Sequence, residues 1–303
     1  MKRGSTVKRE TKDQLVLERR MVTRQHILEL DRTRCIGCQV CKLACPQGAI
    51  QLAPAVLEDG ELKTAPLVNL EADRCNFCGE CVVLCPFNAL RLTVNGAPQV
   101  PVVEYGTFPT LVKEIAVTVE QCRPDCGLAC QEACPTQCIK ATTEQGPDGE
   151  TVRILDVMVD RERCIYCVEC AAACPRHAIA VTKPWQGRLL LDAARCPAGC
   201  RACADTCPTG ALRMQDGQLV ADERFCLYCG VCQEVCPATE GRGALGVQRQ
   251  RILHAEVKSG AWSHALERLI SIKAQREELE IQAQARRHEA MRFLPGSLVM
   301  SDE

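Results

Sequence analysis

Four cysteines in the stretch Cys35-Ile36-Gly37-Cys38-Gln39-Val40-Cys41-Lys42-Leu43-Ala44-Cys45-Pro46 are separated by two, two and three residues, and a proline follows the last. Three thiols at two-residue spacing on a tight loop can aim at three corners of one small body. The fourth, further along and next to the proline, points elsewhere. Six such runs occur in the chain, beginning at Cys35, Cys75, Cys122, Cys164, Cys196 and Cys226. No disordered or ordinary globular chain needs that regularity, so the repeat sets the architecture.

Each repeat reads as strand, acidic turn, cysteine loop, short helix, Cys-Pro and second strand. The entering strands include Ile27–Leu30, Leu67–Leu70, Ile115–Val117 and Leu189–Leu191, by alternation and β-branching. An acid and an arginine precede the first cysteine, as in Asp31 and Arg34, Glu71 and Arg74, Asp160 and Arg163, Asp192 and Arg195. They can form a turn salt bridge or tune whatever the thiols hold. After Cys-Pro come a small and an aliphatic residue: Ala49-Ile50, Ala89-Leu90, Ala178-Ile179, Ala211-Leu212. The proline stops the helix and turns the chain back. In the sixth repeat the equivalent Ala244-Leu245 comes only after an insertion. The fold class expected is α+β, in tandem small lobes.

Composition narrows the chemistry. The 303 residues include 25 cysteines, while Phe, Trp and Tyr make up only 3%. Bulky core-filling side chains are scarce, so a bound inorganic core would fill each lobe. A secreted disulfide scaffold is the competing use of so much cysteine. Against it, residues 1–30 hold no apolar run of signal-peptide length, Arg19-Arg20 is not followed by one, and the thiols fall in fours ending in Cys-Pro. No apolar stretch is long enough to span a membrane. The expectation is a soluble protein of the reducing cytoplasm, with no transmembrane segment. Structural zinc takes two Cys-x2-Cys pairs separated by a longer loop, which six runs of this kind do not match. Iron–sulfur chemistry does: C-x2-C-x2-C-x3-C-P holds [4Fe–4S] cubes. The formal net charge is −1, and cluster-bound thiolates would make the loaded protein more acidic. The scattered Lys and Arg do not argue for nucleic acid.

The run resembles that of bacterial-type two-cluster ferredoxins, in which the fourth cysteine serves the neighbouring cluster. With consecutive runs paired, the resemblance implies six [4Fe–4S] clusters. The first lobe would use Cys35, Cys38, Cys41 and Cys85, then Cys75, Cys78, Cys81 and Cys45. The second would use Cys122, Cys126, Cys130 and Cys174, then Cys164, Cys167, Cys170 and Cys134. The third would use Cys196, Cys200, Cys203 and Cys236, then Cys226, Cys229, Cys232 and Cys207. The third and fifth runs carry wider spacings without losing a ligand. Cys126, Cys130, Cys134 and Cys138 are also evenly spaced, so Cys138 could replace Cys122. Aligned on Cys-Pro, however, Cys138 falls where sister repeats have alanine, and a free cysteine packs as a small apolar residue.

These assignments divide the chain into a basic N-terminal arm (1–26), a first lobe (27–94), a proline-bearing linker (95–113), a second lobe (114–184), a third lobe (185–247) and a helical C-terminal extension (248–303). The arm is expected to be solvated or to lie on a partner. Trp262, Ala265, Leu266, Leu269 and Ile270 recur at helical spacing. Ferredoxin lobes offer little core to bury such a stripe, so it is expected to dock a partner. The charged helix should run on towards Ala290 and end near Phe293-Leu294-Pro295-Gly296.

No catalytic constellation is present: no Ser/His/Asp order, no phosphate loop, no dinucleotide fingerprint. His177 reads as a turn residue after Cys174-Pro175. The chain is expected to be no enzyme but an electron-transfer subunit, with a catalytic subunit and an electron donor as protein partners. Cys85-Pro86-Phe87-Asn88-Ala89-Leu90, Asn95-Gly96, Pro101-Val102-Val103-Glu104, Phe108-Pro109 and Glu114-Ile115 go beyond the cysteine pattern. They resemble the polyferredoxin subunit of formylmethanofuran dehydrogenase. That resemblance implies low-potential electron delivery to a CO2-reducing partner. The chain departs from that family in its six runs, fewer than expected there, and in its long cysteine-free tail. An iron–sulfur subunit of a hydrogenase, formate dehydrogenase or tungsten aldehyde oxidoreductase is the alternative. An enzyme with a catalytic cluster is disfavoured by complete ligand sets, and a nucleic-acid binder by the lack of stacking platforms.

Overall fold

The computed structural model of the chain describes residues 5–238, 244–257, 259–270 and 287. Its α-helices are four or five residues long, apart from the ten-residue Gly260–Leu269. The brevity is written into each run. The residue before a proline is driven out of the helical region, and Cys45, Cys85, Cys174 and Cys207 are all extended, with ψ of 114°, 113°, 110° and 114°. The helix therefore stops at the fourth cysteine, whose thiol leaves the direction of the first three.

Strand pairing repeats three times. Gln25–Asp31, before the first run, pairs with Leu90–Val94, after the second; Ile50–Ala53 and Leu67–Leu70, between the two runs, pair with each other. Glu114–Val117 pairs with Ile179–Thr182, and Ile139–Gln145 with Thr151–Val159. Trp185–Leu191 pairs with Leu245–Ile252, and Leu212–Gln215 with Gln218–Ala221. All of these pairs are antiparallel. Each unit is thus closed by its outermost strands, and two consecutive runs face each other inside it.

Three expectations are corrected. The basic N-terminal segment is not a solvated arm. Thr6–Glu10 and Gln14–Arg20 add two strands to the sheet edge at Gln25–Asp31. Leu15 and Leu17 are wholly buried and stand opposite Leu30 and Leu28. Alternate residues carry the charge, and Glu18 takes up Arg9 (2.7 Å) and Arg20. The segment 95–113 is not a bare linker either. It contains the helical turn Pro101–Glu104 and buries Phe108.

The apolar stripe after residue 260 does not face a partner. Trp262, Ala265, Leu266 and Leu269 are buried within the chain, and their helix packs on Val40–Ala44 of the first unit. Ser259 caps it, accepting the Ala261 N–H at 3.3 Å. The core missing from any one small unit is made jointly: one apolar cluster runs from Leu15 through Leu84, Phe108, Trp185 and Val231 to Leu266. The middle unit has its own, around Ile115, Ile139, Ile154 and Ile179. The expected continuation towards Ala290 and the ending at Phe293–Gly296 lie outside the described residues, Arg287 excepted.

Candidate metal centre

The cysteine loops owe their shape to left-handed residues at fixed places. The residue before the second cysteine has positive φ at Gly37 (70°), Phe77 (58°), Tyr166 (56°) and Tyr228 (50°). The residue after it does so at Gln39, Gly79, Val168 and Gly230. Such alternation curls backbone N–H groups inwards, where they favour negative charge. Gly37 has a further reason to be glycine, since a Cβ there would lie 2.3 Å from the Pro66 carbonyl oxygen. The turn after Cys-Pro repeats the device at Gly48, Asn88, Gln137, His177 and Gly210. His177 is thus a turn residue, with φ 51°.

Strand exchange brings the fourth thiol of one run to the first three of its neighbour. Cys45 lines a cavity with Cys75, Cys78 and Cys81, among Leu28, Leu70 and Phe77. Cys122, Cys126, Cys130 and Cys174 line a second. Cys207, Cys226, Cys229 and Cys232 line a third. The remaining thiols meet electrostatically in the same way: Cys85 with Cys35, Cys38 and Cys41, Cys134 with Cys167 and Cys170, and Cys236 with Cys196 and Cys203. Cys164 joins Cys167 and Cys170, and Cys200 joins Cys196 and Cys203. Three sets of four thiols thus line cavities, and the thiols of the other three expected sets are electrostatic neighbours.

Burial before any other cause raises many of these thiols, Cys35 and Cys78 to about 11 and Cys203 and Cys229 to about 12. So many buried sulfurs become thiolates together only when a positively charged core binds them. Among the described residues no three ligating side chains converge as on a single ion; the sulfurs stand around cavities. N–H groups donate to several of them at 3.3 Å: Ala49 to Cys45, Ala89 to Cys85, Ala178 to Cys174 and Tyr228 to Cys226. Separated thiols, apolar walls and N–H···S bonds together fit a cubane cluster.

Ala49, Ala89 and Ala178 each sit against the fourth cysteine of their run, close enough for the backbone N–H to reach its sulfur. Cys138 occupies that place in the third repeat: it is buried, and its N–H donates to Cys134 Sγ at 3.3 Å. Its own Sγ lies 3.4 Å from Cys134 Sγ, and it does not line the cavity of Cys122. A hydrogen bond from Cys138 lowers Cys164, against the trend of its neighbours. The acids before the runs are turn caps: Asp31 accepts the Thr33 N–H at 2.9 Å, Asp160 that of Glu162 at 3.0 Å and Asp192 that of Ala194 at 3.2 Å. The acid–arginine ion pair is made at Glu71–Arg74 (3.4 Å), while Arg34 reaches across to the Glu162 carbonyl.

Two stretches of the chain, residues 34–89 and 188–237, each match a family described as a 4Fe-4S dicluster domain. A ferredoxin of Methanocaldococcus jannaschii is 34% identical over 58 residues, covering 19% of this chain and 75% of that one. The chain belongs to the 4Fe-4S dicluster ferredoxins. It is 37% identical over 93 residues to the polyferredoxin protein MvhB of Methanothermobacter marburgensis, which covers 27% of this chain. The match spans only 21% of that relative's length. The fold as a whole is similar to a chain of a formate dehydrogenase–heterodisulfide reductase–formylmethanofuran dehydrogenase complex from Methanospirillum hungatei. The TM-score is 0.73 at 26% identity, over 88% of this chain and 92% of that one. Among the described residues of this ferredoxin, no helix is long and apolar enough to cross a membrane.

Sequence reasoning missed the cations that sit beside the thiol groups. Arg19 lies over the Phe77 ring at 4.7 Å and donates to the Cys75 carbonyl at 2.6 Å. Lys113 lies over Tyr166 and Lys183 over Tyr228, at 5.5 and 5.7 Å. The aromatic residue before the second cysteine was the available signal: Phe77, Tyr166 and Tyr228 occupy one position of the repeat and each receives a cation.

Proposed function

We propose that this chain is an electron-transfer subunit of an oxidoreductase complex, carrying six [4Fe–4S] clusters in three two-cluster lobes. When bound, such a cluster takes up and releases one electron. The observation that supports the reading is that, with each unit closed by its outermost strands, Cys45, Cys174 and Cys207 each line a cavity with the first three thiols of the neighbouring run. The six groups of four named above would be the ligand sets, with Cys138 left as a buried spacer. What the protein's own residues do is hold thiolates, donate N–H to sulfur and exclude water with Leu28, Ile154, Leu189 and their neighbours.

The partner proposed is a catalytic subunit of the formylmethanofuran dehydrogenase class, supplied with low-potential electrons from a separate donor. The whole-fold likeness to a chain of a complex containing that enzyme supports it. Protein purified anaerobically should contain about 24 iron and about 24 acid-labile sulfide per chain, following from six cubes. Anaerobic affinity purification of the full chain should retain the catalytic subunit, and the reduced chain should pass electrons to it. Stoichiometric zinc, or four clusters at full loading, would refute the cluster assignment. Retention of a hydrogenase, formate dehydrogenase or aldehyde oxidoreductase subunit instead would refute the partner assignment alone.

A further inference from the structure

Three cations stand where the units meet. Arg249 is 7% exposed and donates to the carbonyls of Tyr228 (2.8 Å) and Cys229 (2.7 Å), with its guanidinium 5.7 Å from the Trp185 ring. Its charge faces Cys38 of the first unit as well as Cys226, Cys229 and Cys232 of the third. Lys113 donates to Asn88 Oδ1 at 2.9 Å and faces Cys85 of the first unit and Cys164 of the second. Lys183 donates to the carbonyls of Arg224 (2.7 Å) and Cys226 (3.2 Å), and faces Cys226 of the third unit and Cys167 of the second. Lys113, Lys183, Cys85, Tyr166, Trp185 and Leu227 line one cavity at this junction.

The pattern is triangular. Of the six thiol groups, those of Cys35/38/41/85 and Cys207/226/229/232 approach each other directly at Cys38 and Cys229, and each of these two is linked to that of Cys134/164/167/170 by a lysine facing both sides, so one cation stands at each of the three crossings. The other three groups lie outside, each beside its own inner group: Cys81 near Cys41, Cys130 near Cys170 and Cys203 near Cys232. Arg19 differs from the three junction residues in standing at an outer group, that of Cys75.

Adjacent anionic clusters repel, and adding an electron to one makes the next harder to reduce. A cation between the two offsets that repulsion for both, with least screening at the buried Arg249 and more at the half-exposed Lys113 and Lys183. We propose that Lys113, Lys183 and Arg249 are positioning charges that join the three inner clusters into a hub, each holding up the reduction potentials of the two clusters it separates. Electrons arriving in any unit then reach either of the others through this hub. The inference rests on the cluster reading above.

The test is an anaerobic, EPR-monitored redox titration of the full chain and of K113M, K183M and R249Q, with iron and sulfide measured in each. R249Q should lower the midpoints of the Cys35/38/41/85 and Cys207/226/229/232 clusters. K113M should lower those of Cys35/38/41/85 and Cys134/164/167/170, and K183M those of Cys134/164/167/170 and Cys207/226/229/232. Each shift should amount to a tenfold change in the reduced-to-oxidised ratio, about 59 mV for one electron. Every inner midpoint is thus moved by two of the three variants, and no outer midpoint moves. R249K should recover most of the loss, and R153Q, at an exposed strand position, should change nothing. Should R249Q lose iron, the half-exposed lysines still give the decisive pattern, one midpoint common to K113M and K183M. Full iron with unmoved midpoints, a uniform drop in all six, or R249K as low as R249Q would overturn the hub. Parent protein without six clusters would instead overturn the cluster reading.

Discussion

The Trp262 ring meets that of Phe108 edge-on, with centroids 5.0 Å apart. Trp262 Nε1 donates to His254 Nε2 at 3.2 Å, so the indole is held on both its apolar body and its polar tip. This contact joins a segment between the first and second units to a helix that follows the third. Trp262→Ala should cost about 3–5 kcal/mol, the usual range for deleting a buried aromatic. Chemical unfolding of the loaded protein checks it. A loss under about 1 kcal/mol would mean that the helix is not part of the shared core.

Cys138 offers a sharp comparison with Cys122. Cys138→Ala should leave iron and EPR signals at parental levels, since alanine is what sister repeats place under the fourth cysteine. Cys122→Ala should remove up to four irons, one cube. The reverse pattern would show that the third run uses Cys126, Cys130, Cys134 and Cys138.

Gly37 should tolerate no side chain. Its φ of +70° and the approach of Pro66 to 2.3 Å of a built Cβ both act against Gly37→Ala. The conformational term alone is about 1–2 kcal/mol, and the clash adds to it. The cluster at Cys35, Cys38, Cys41 and Cys85 should be lost preferentially on mild oxidation. Gly106→Ala, also at positive φ but with open space around the Cβ, should be milder. Equal damage from both would show that the close approach to Pro66 does not matter.

Glu18 carries a pH dependence. Hydrogen bonds from Arg20 first, then Gln25 and Arg9, pull its carboxyl down to about 2 from an ordinary 4.5. A depressed acid stabilises the fold fully above its unfolded value, so the contribution is intact above 4.5 and drains away as the pH falls towards 2. Glu18→Gln should therefore weaken the fold at pH 7 and lose less than the parent between pH 5 and 3.5. Acid lability of the clusters is common to both chains, and the difference between their unfolding midpoints is the measure. An unchanged difference across that window would show that the carboxylate is not held by these donors.

What could be read from the sequence was whatever repeats. Six runs, a proline at fixed offset and an alanine behind it specify local loops and short strands, and the strands at Leu67–Leu70 and Leu189–Leu191 appear where alternation puts them. Residues that act once were opaque. Leu15 and Leu17 alternate correctly for a strand, but the surrounding Arg and Lys masked a sheet edge that only Leu28 and Leu30 could complete. Trp262 looked like a docking anchor because each unit was weighed alone, whereas the first and third build one core between them. Lys113, Lys183 and Arg249 stand 70 and 66 residues apart along the chain, and only the closure of three units brings them to one place.

That closure bears on how the protein can be made. Gln39 donates to Glu234, 195 positions away, and the Arg201 N–H donates to the Gly60 carbonyl at 2.9 Å. Arg268 reaches back to the Cys45 carbonyl at 3.0 Å. A nascent chain emerges at about 5–20 residues per second, so the first unit waits ten seconds or more, on the order of this rate, for the partner surfaces that seal it. During that interval the cavity of Cys45, Cys75, Cys78 and Cys81 has its whole lining within residues 28–92, while the contacts at Gln39, Gly60 and the Cys45 carbonyl are still unmade. Long-range closure of this kind makes the last-synthesised residues the ones that fix how the first unit sits, so the order of synthesis runs opposite to the order in which the shared core is completed.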